Sequence, residues 1–526
     1  MADVTVVGGG LAGCEAAWQL AERGHTVTLV EMRPVARTPA HQTERLAELV
    51  CTNSFKSEDL TNAHGLLKAE MRDLGSILLR AADAARVPGG TALVVDREVF
   101  AETMTRLVAE HPRITIERRE VTALPDGPAI IASGPLTSDA LTADVARRLG
   151  EEGLAFYDSI APIVHADSID RSVAFGASRW GKGEGDDDYL NCPMSREEYE
   201  AFLAALRAAD VYQGHEWEGL PFGASCGAGA GADDAGGPPD STIAPEPGQI
   251  HGAAGQPLDP AVPYFEGCLP IEVMAARGAD TLRFGPMKPI GLWDPRTGKR
   301  PWAVVQLRRE DRAGNMWNMV GFQTRLRTGE QRRVFRMIPG LENAEFLRFG
   351  SIHRNTYLNF PMRLAPYGAP AARPDVIFAG QLTGVEGYTE SAASGILAGI
   401  NLDRLLRGER PALPPATTML GGLFRYLREA RAGEFQPMNS NFGLLEPLTE
   451  PIRDKGRRRE RLVERARDDF GAWMRACGLE PEGRAGERQS GGVGDGAIAH
   501  PSTLPLPHSE SRADAPFRRR TLGAES

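Results

Sequence analysis

The chain has 526 residues, 42% of them hydrophobic and 25% charged, with a formal net charge of −10. That length exceeds what one core organises, so two or three domains are expected, and no apolar run of roughly 18 residues is present to span a membrane. The six cysteines at 14, 51, 192, 226, 268 and 477 include no C-x-x-C pair, which argues against a zinc site, a disulfide framework or a dithiol centre.

An apolar run at 3–7 is followed by Gly8-Gly9-Gly10-Leu11-Ala12-Gly13, a helix-like stretch to Gly24, and a second run, 26–30, that ends in Glu31. Strand, G-x-G-x-x-G turn, helix, second strand and acid form a dinucleotide-binding βαβ unit. Gly8 permits the tight turn, Gly10 lets the backbone approach a pyrophosphate, and Gly13 lets helix pack on strand. Free N–H groups and the helix dipole favour the anion there, and Glu31 stands where a carboxylate would accept a ribose hydroxyl. The unit alone serves NAD or FAD equally. With a strand at its very start, the chain leaves no room for a signal peptide, and a reducing cytoplasm is expected.

Further along, Cys51-Thr52-Asn53-Ser54 reads as a turn or helix entry. Periodicity predicts a helix over 66–85 with Glu70 and Arg72 outward, another over 96–109, and strands at 114–116 and 129–131. The run 375–381 repeats the design of 129–134 and is followed by a small-residue helix over 384–399. Strands that leave and re-enter one sheet around an insertion are typical of large FAD enzymes. The expected class is therefore α/β: a Rossmann-like FAD domain of glutathione-reductase type, with an inserted α+β substrate domain. The expected boundaries are 1–136 and 366–450 for the FAD domain, 137–365 for the insertion, 451–478 for a basic helix and 479–526 for a disordered tail. Within the insertion, 27 of the 45 residues at 219–263 are Gly, Ala or Pro, too few apolar side chains to offset their ordering entropy, so disorder is expected.

The net charge hides an asymmetry. From 277 to 336 there are 14 Lys/Arg against 5 Asp/Glu, interleaved with Trp293, Trp302 and Trp317. A basic band on an acidic body is the footprint of a phosphate-rich partner. The second basic cluster, 453–467, reads as a solvated helix face.

Five stretches together resemble the folate- and FAD-dependent tRNA (uracil-5-)-methyltransferase family, TrmFO. They are 6–33, 49–54, 264–275 (Tyr-Phe-Glu-Gly-Cys-Leu-Pro-Ile-Glu-Val-Met-Ala), 280–286 and 380–391 (Gly-Gln-Leu-Thr-Gly-Val-Glu-Gly-Tyr-Thr-Glu-Ser). The resemblance covers about 1–218 and 264–450, and the 219–263 stretch and long tail depart from the family pattern. It implies transfer of a one-carbon unit from 5,10-methylenetetrahydrofolate to C5 of a uridine in the tRNA T-loop, leaving tetrahydrofolate. Reduced FAD would act as relay and reductant, with NADH or NADPH recharging it. No metal and no obligate protein partner are implied.

Uracil C5 becomes nucleophilic only after a thiolate adds to C6, so a reactive cysteine is required. Cys268 is the candidate, with glycine before it and Arg277 and Arg283 near in sequence; the plain alternative is a small buried hydrophobe. The resemblance also places Cys51 at the site. Tyr357 is a candidate base for the C5 proton, or a core tyrosine. For the flavin, the candidates are Gly8, Gly9, Gly10, Leu11, Ala12, Gly13 and Glu31, with Val121, Gly134, Gly380 and Gln381, and the helix start near Thr389 could stabilise negative charge on the reduced ring. Two alternatives remain: an FAD-dependent wobble-uridine modification enzyme, and a non-catalytic RNA-binding flavoprotein.

Overall fold

The computed structural model describes residues 1–38, 40–150, 154–181, 189–212, 269–431 and 435–479. The expectations for 219–263, for Cys226 and Cys268 and for the tail from 480 lie outside these residues.

The apolar, β-branched segments near the start build a five-stranded parallel sheet. Its order is Val376–Phe378, Ala129–Ile131, Asp3–Val7, Thr26–Glu31, Ile114–Arg118. Val6 sits opposite both Leu29 and Ile130, and all three are fully buried, as expected of a parallel sheet covered on both faces. The helix Leu11–Glu22 packs along the helix Tyr388–Leu406. The approach is close because Gly395 has no side chain: a Cβ there would stand 2.1 Å from the Ala12 carbonyl oxygen. The C-terminal return of the chain is thereby locked against the first helix.

A second apolar core lies beneath a six-stranded antiparallel sheet ordered Phe175–Gly176, Tyr189–Met194, Ala303–Arg309, Met316–Met319, Ile163–His165, Phe346–Arg348. The antiparallel pair Leu154–Ile160 and Ser351–Tyr357 runs between the residues of the two cores. Among the described residues no helix is long and apolar enough to cross a membrane.

Several local expectations are corrected. The stretch 66–85 is two helices, Ala63–Asp73 and Ile77–Ala84, interrupted at Gly75 and capped anew by Ser76. Arg72 points outward to Asp83, but Glu70 is fully buried. Its two carboxyl oxygens accept the N–H groups of Met419 and Leu420, both at 2.8 Å, at the start of the helix Met419–Glu429. The charge of Glu70 suggests solvent, yet the residue is buried because it satisfies a distant helix end. The Cys51–Ser54 turn enters not a helix but the strand Ser54–Ser57.

The basic band is also divided. Trp317 is 1% exposed and Arg325 6%, the latter facing Glu272, so neither belongs to a surface. Arg327, Arg332 and Arg333 are exposed.

Candidate active site

The G-x-G-x-x-G turn has the geometry that its residue types require. Gly8 sits at φ +103°, where a Cβ would strike the Ala132 carbonyl, and a Cβ on Gly13 would lie 1.8 Å from the Gly8 oxygen. Gly10 differs: a Cβ there meets nothing within 4 Å, because it opens into a cleft. Gly10 is also the N-cap of the helix Leu11–Glu22 and supplies no side-chain cap, so the helix end presents its dipole to that cleft.

The cleft is lined by Gly8, Gly10, Leu11, Ala12 and Glu31, and from elsewhere in the chain by Val121, Gly134, Gly380 and Gln381. Gly9 and Gly13 support it from behind, the Gly9 N–H donating to Glu31 Oε2 at 2.9 Å. Burial tends to raise the Glu31 carboxyl, but the Arg33 guanidinium at 2.8 Å and these N–H groups hold it below the usual carboxylate range. An ionised acceptor, an uncapped helix end and a glycine opening suit a dinucleotide such as FAD.

A second cleft shares Val50, Pro135, Leu136, Gln381 and Tyr388 with the first. Its wall carries Cys51, half-buried, in the loop before the strand Ser54–Ser57. The Cys51 and Thr52 N–H groups donate to the Tyr388 hydroxyl at 2.7 and 3.2 Å. Burial pushes the Tyr388 phenol up, so it stays neutral. The Arg97 guanidinium donates to the Leu49 and Cys51 carbonyls and pairs with buried Glu310. From the second sheet, Arg308 donates to Thr52 Oγ1 at 2.6 Å and to Asn53 Oδ1 at 3.1 Å. Burial lowers the Arg308 pKa, as it does that of Arg348. Positive charge from Arg97, Arg308 and Arg348 acts on Cys51.

Of the candidate catalytic residues, Cys51 thus lines the second cleft, beside Val50 and Tyr388 of the shared wall. Tyr357 is not: it is 5% exposed in the first core, its hydroxyl donates to the Phe435 carbonyl at 3.4 Å, and it lines neither cleft. Its strand position turns it into the core, which corrects its reading as a base. Arg283, expected beside Cys268, pairs with Asp280 and lies over Trp302. Tyr388, Arg97 and Arg308 were missed as site residues. Tyr388 could have been found from its place in the 380–391 segment, whereas Arg308 was indistinguishable from its neighbours in the basic band.

A parallel sheet with its glycine turn at the carboxyl ends of the strands, and a thiol-bearing cleft opening from it, define a flavoprotein-type α/β protein. The profile of glucose inhibited division protein A matches residues 3–221 and 249–410. Methylenetetrahydrofolate--tRNA-(uracil-5-)-methyltransferase TrmFO of Geobacter sulfurreducens is 52% identical over 472 residues, covering 90% of this chain and 98% of that one. The Moorella thermoacetica protein of the same name is 51% identical, covering 88% and 96%. The chain belongs to the TrmFO family. Among solved structures, GidA of Aquifex aeolicus superposes with a TM-score of 0.59 at 17% identity, over 91% of this chain and 74% of that one, a likeness of fold.

Proposed function

We propose that this protein methylates C5 of a T-loop uridine in tRNA, taking the carbon from 5,10-methylenetetrahydrofolate. The observation that carries the reading is the shared wall of the two clefts, where Tyr388 and Gln381 face both the dinucleotide cleft and the cleft of Cys51. Bound FAD supplies the relay and the reducing equivalents, drawn from NADH or NADPH.

The protein's own part is covalent activation and proton handling. The Cys268 sulfur bonds to uracil C6, which makes C5 a nucleophile for the incoming carbon. C5 then bonds to the one-carbon unit, the C5 proton leaves to a base and the bond from that carbon to its carrier nitrogen breaks, so that an exocyclic methylene forms. A hydride equivalent (two electrons and a proton) reduces it to methyl while the C6–S bond breaks and the thiolate leaves. Cys51, on the cleft wall, is proposed to receive the C5 proton, in a loop held by Arg97 and Arg308. Gly8, Gly10, Leu11, Ala12 and Glu31, with Val121, Gly134, Gly380 and Gln381, are the proposed cofactor contacts.

The test is incubation with unmodified tRNA, methylenetetrahydrofolate and NAD(P)H, followed by nucleoside mass analysis. 5-Methyluridine is expected. A different modified uridine, or none, overturns the reading.

A further inference from the structure

Two tryptophans lie outside both clefts and outside both cores. Trp180 is 59% exposed and Trp293 50%, and their rings meet edge to face at 6.1 Å. Single exposed apolar residues need no explanation; a paired set of indoles at this exposure does. Trp180 is moreover held in a left-handed conformation, φ 62° and ψ 20°, which is costly for a bulky residue. It is kept there by the Trp180 N–H donating to the Gly291 carbonyl at 3.0 Å. The indole also lies against Gly291, where any Cβ would be 2.9 Å from the ring.

The surroundings carry the matching charge. Just after Trp293 the chain forms a tight turn closed by the Asp294 N–H donating to the Lys299 carbonyl at 2.9 Å, with Gly298 at φ +64°. Arg296, Lys299 and Arg300 lie on it and are exposed. Asp294 neutralises Arg296, while the Arg300 guanidinium lies 5.6 Å from the Trp293 ring centroid. The sequence 184–188 that follows Trp180 is acidic, so cations for phosphate come from the 294–300 turn.

The location ties this patch to the reaction cleft. Arg179, next to Trp180, donates to Gln306 Oε1 at 2.9 Å. Gln306 and Arg308 share one face of the strand Ala303–Arg309, about 7 Å apart, and Arg308 lines the cleft of Cys51.

We propose that Trp180 and Trp293 form a stacking platform for an unpaired base of the tRNA, with Lys299 and Arg300 gripping the adjoining backbone phosphates. Indole faces accept any base and arginine-rich turns accept phosphate, which is how single-stranded segments are held without sequence readout. The inference rests on the tRNA reading above.

The test uses the full-length flavin-loaded protein and an unmodified tRNA transcript, with affinity measured across a salt series. Trp293→Ala and Trp180→Ala should each weaken binding about tenfold with the salt slope unchanged, while Trp293→Phe retains most of the affinity. Lys299→Glu with Arg300→Glu should instead lower the slope by about 1.5. Flavin content controls for folding, and if Trp180→Ala does not fold, Trp293→Ala and tRNA-induced quenching of indole fluorescence carry the test. Wild-type protein that binds no tRNA would refute the tRNA reading itself. Wild-type binding with unweakened alanine variants overturns the platform. So does a loss of self-association in those variants at unchanged tRNA affinity, which would assign the patch to a second copy of the chain.

Discussion

The hydroxyl of Tyr388 accepts the backbone N–H groups of both Cys51 and Thr52, so a residue 337 positions away shapes the thiol-bearing loop. Tyr388 begins the helix Tyr388–Leu406 and faces both clefts, which makes it the point where that helix and the thiol-bearing loop are joined. Removing the hydroxyl would strand two donors.

Tyr388→Phe should therefore retain the fold and lose precision at Cys51. Leaving a buried donor unsatisfied costs roughly 1–3 kcal/mol, and misplacing a reacting group by a fraction of an ångström adds to the barrier. Product formation should fall on the order of tenfold or more, with flavin content close to wild type. Unchanged turnover would show that the loop holds its position without this contact.

Gly10→Ala and Gly13→Ala should separate cofactor binding from folding. The added methyl at Gly10 meets no protein atom and intrudes only on the cleft, so soluble, flavin-poor protein is expected. At Gly13 it would overlap the Gly8 carbonyl at 1.8 Å, so the βαβ unit itself should fail and soluble yield collapse. Equal flavin content in the two variants would contradict this division.

Glu70 should make stability depend on pH. Burial pushes its carboxyl up from the ordinary 4.5 to about 8, against the pull of the Met419 and Leu420 N–H groups. The folded state then holds a proton that the unfolded chain has released. Its stabilising contribution is complete below about pH 4.5 and is lost as pH rises through about 8. The melting temperature of wild type relative to Glu70→Gln should decline between pH 5 and 8. A difference that is flat or rising across that range would mean Glu70 is ionised in the fold.

Arg325 and Arg327 should respond oppositely to charge reversal. Arg325→Glu buries a second carboxylate beside Glu272, where breaking a buried pair costs about 3–5 kcal/mol, so the protein should lose solubility. Arg327→Glu lies on the surface and should leave melting unchanged. If both variants melt like wild type, the burial of Arg325 is misjudged.

Cys268→Ala should keep flavin and tRNA affinity but lose methyl transfer, because the C6 addition has no substitute; loss of a covalent nucleophile costs several orders of magnitude. With 5-fluorouridine at the target position, wild type should trap a covalent RNA adduct, absent from Cys268→Ala. An adduct that disappears only in Cys51→Ala would reverse the roles of the two thiols.

The nucleotide unit was legible in the sequence because its constraints are local. Gly8, Gly10 and Gly13 answer to one turn, and Glu31 to the end of the next strand, so residue type and spacing carry the information. The return of the chain at 375–381 was legible for a similar reason: buried parallel strands have a recognisable composition. The family followed from such segments, and so did residues that line the first cleft.

Tertiary structure alone decided which polar residues are inside. Glu70 sits in a helix where its charge suggests solvent, yet it serves a helix end 349 positions away. Arg308 and Arg325 belong to one basic band, but Arg308 reaches Thr52 at the cleft and Arg325 is buried against Glu272. Tyr357 and Tyr388 are both tyrosines near the sheet, and only Tyr388 faces the clefts. Periodicity and composition report how a segment meets its own neighbours in the chain; whether a charge is buried depends on a partner supplied from hundreds of residues away, and no local pattern encodes that meeting.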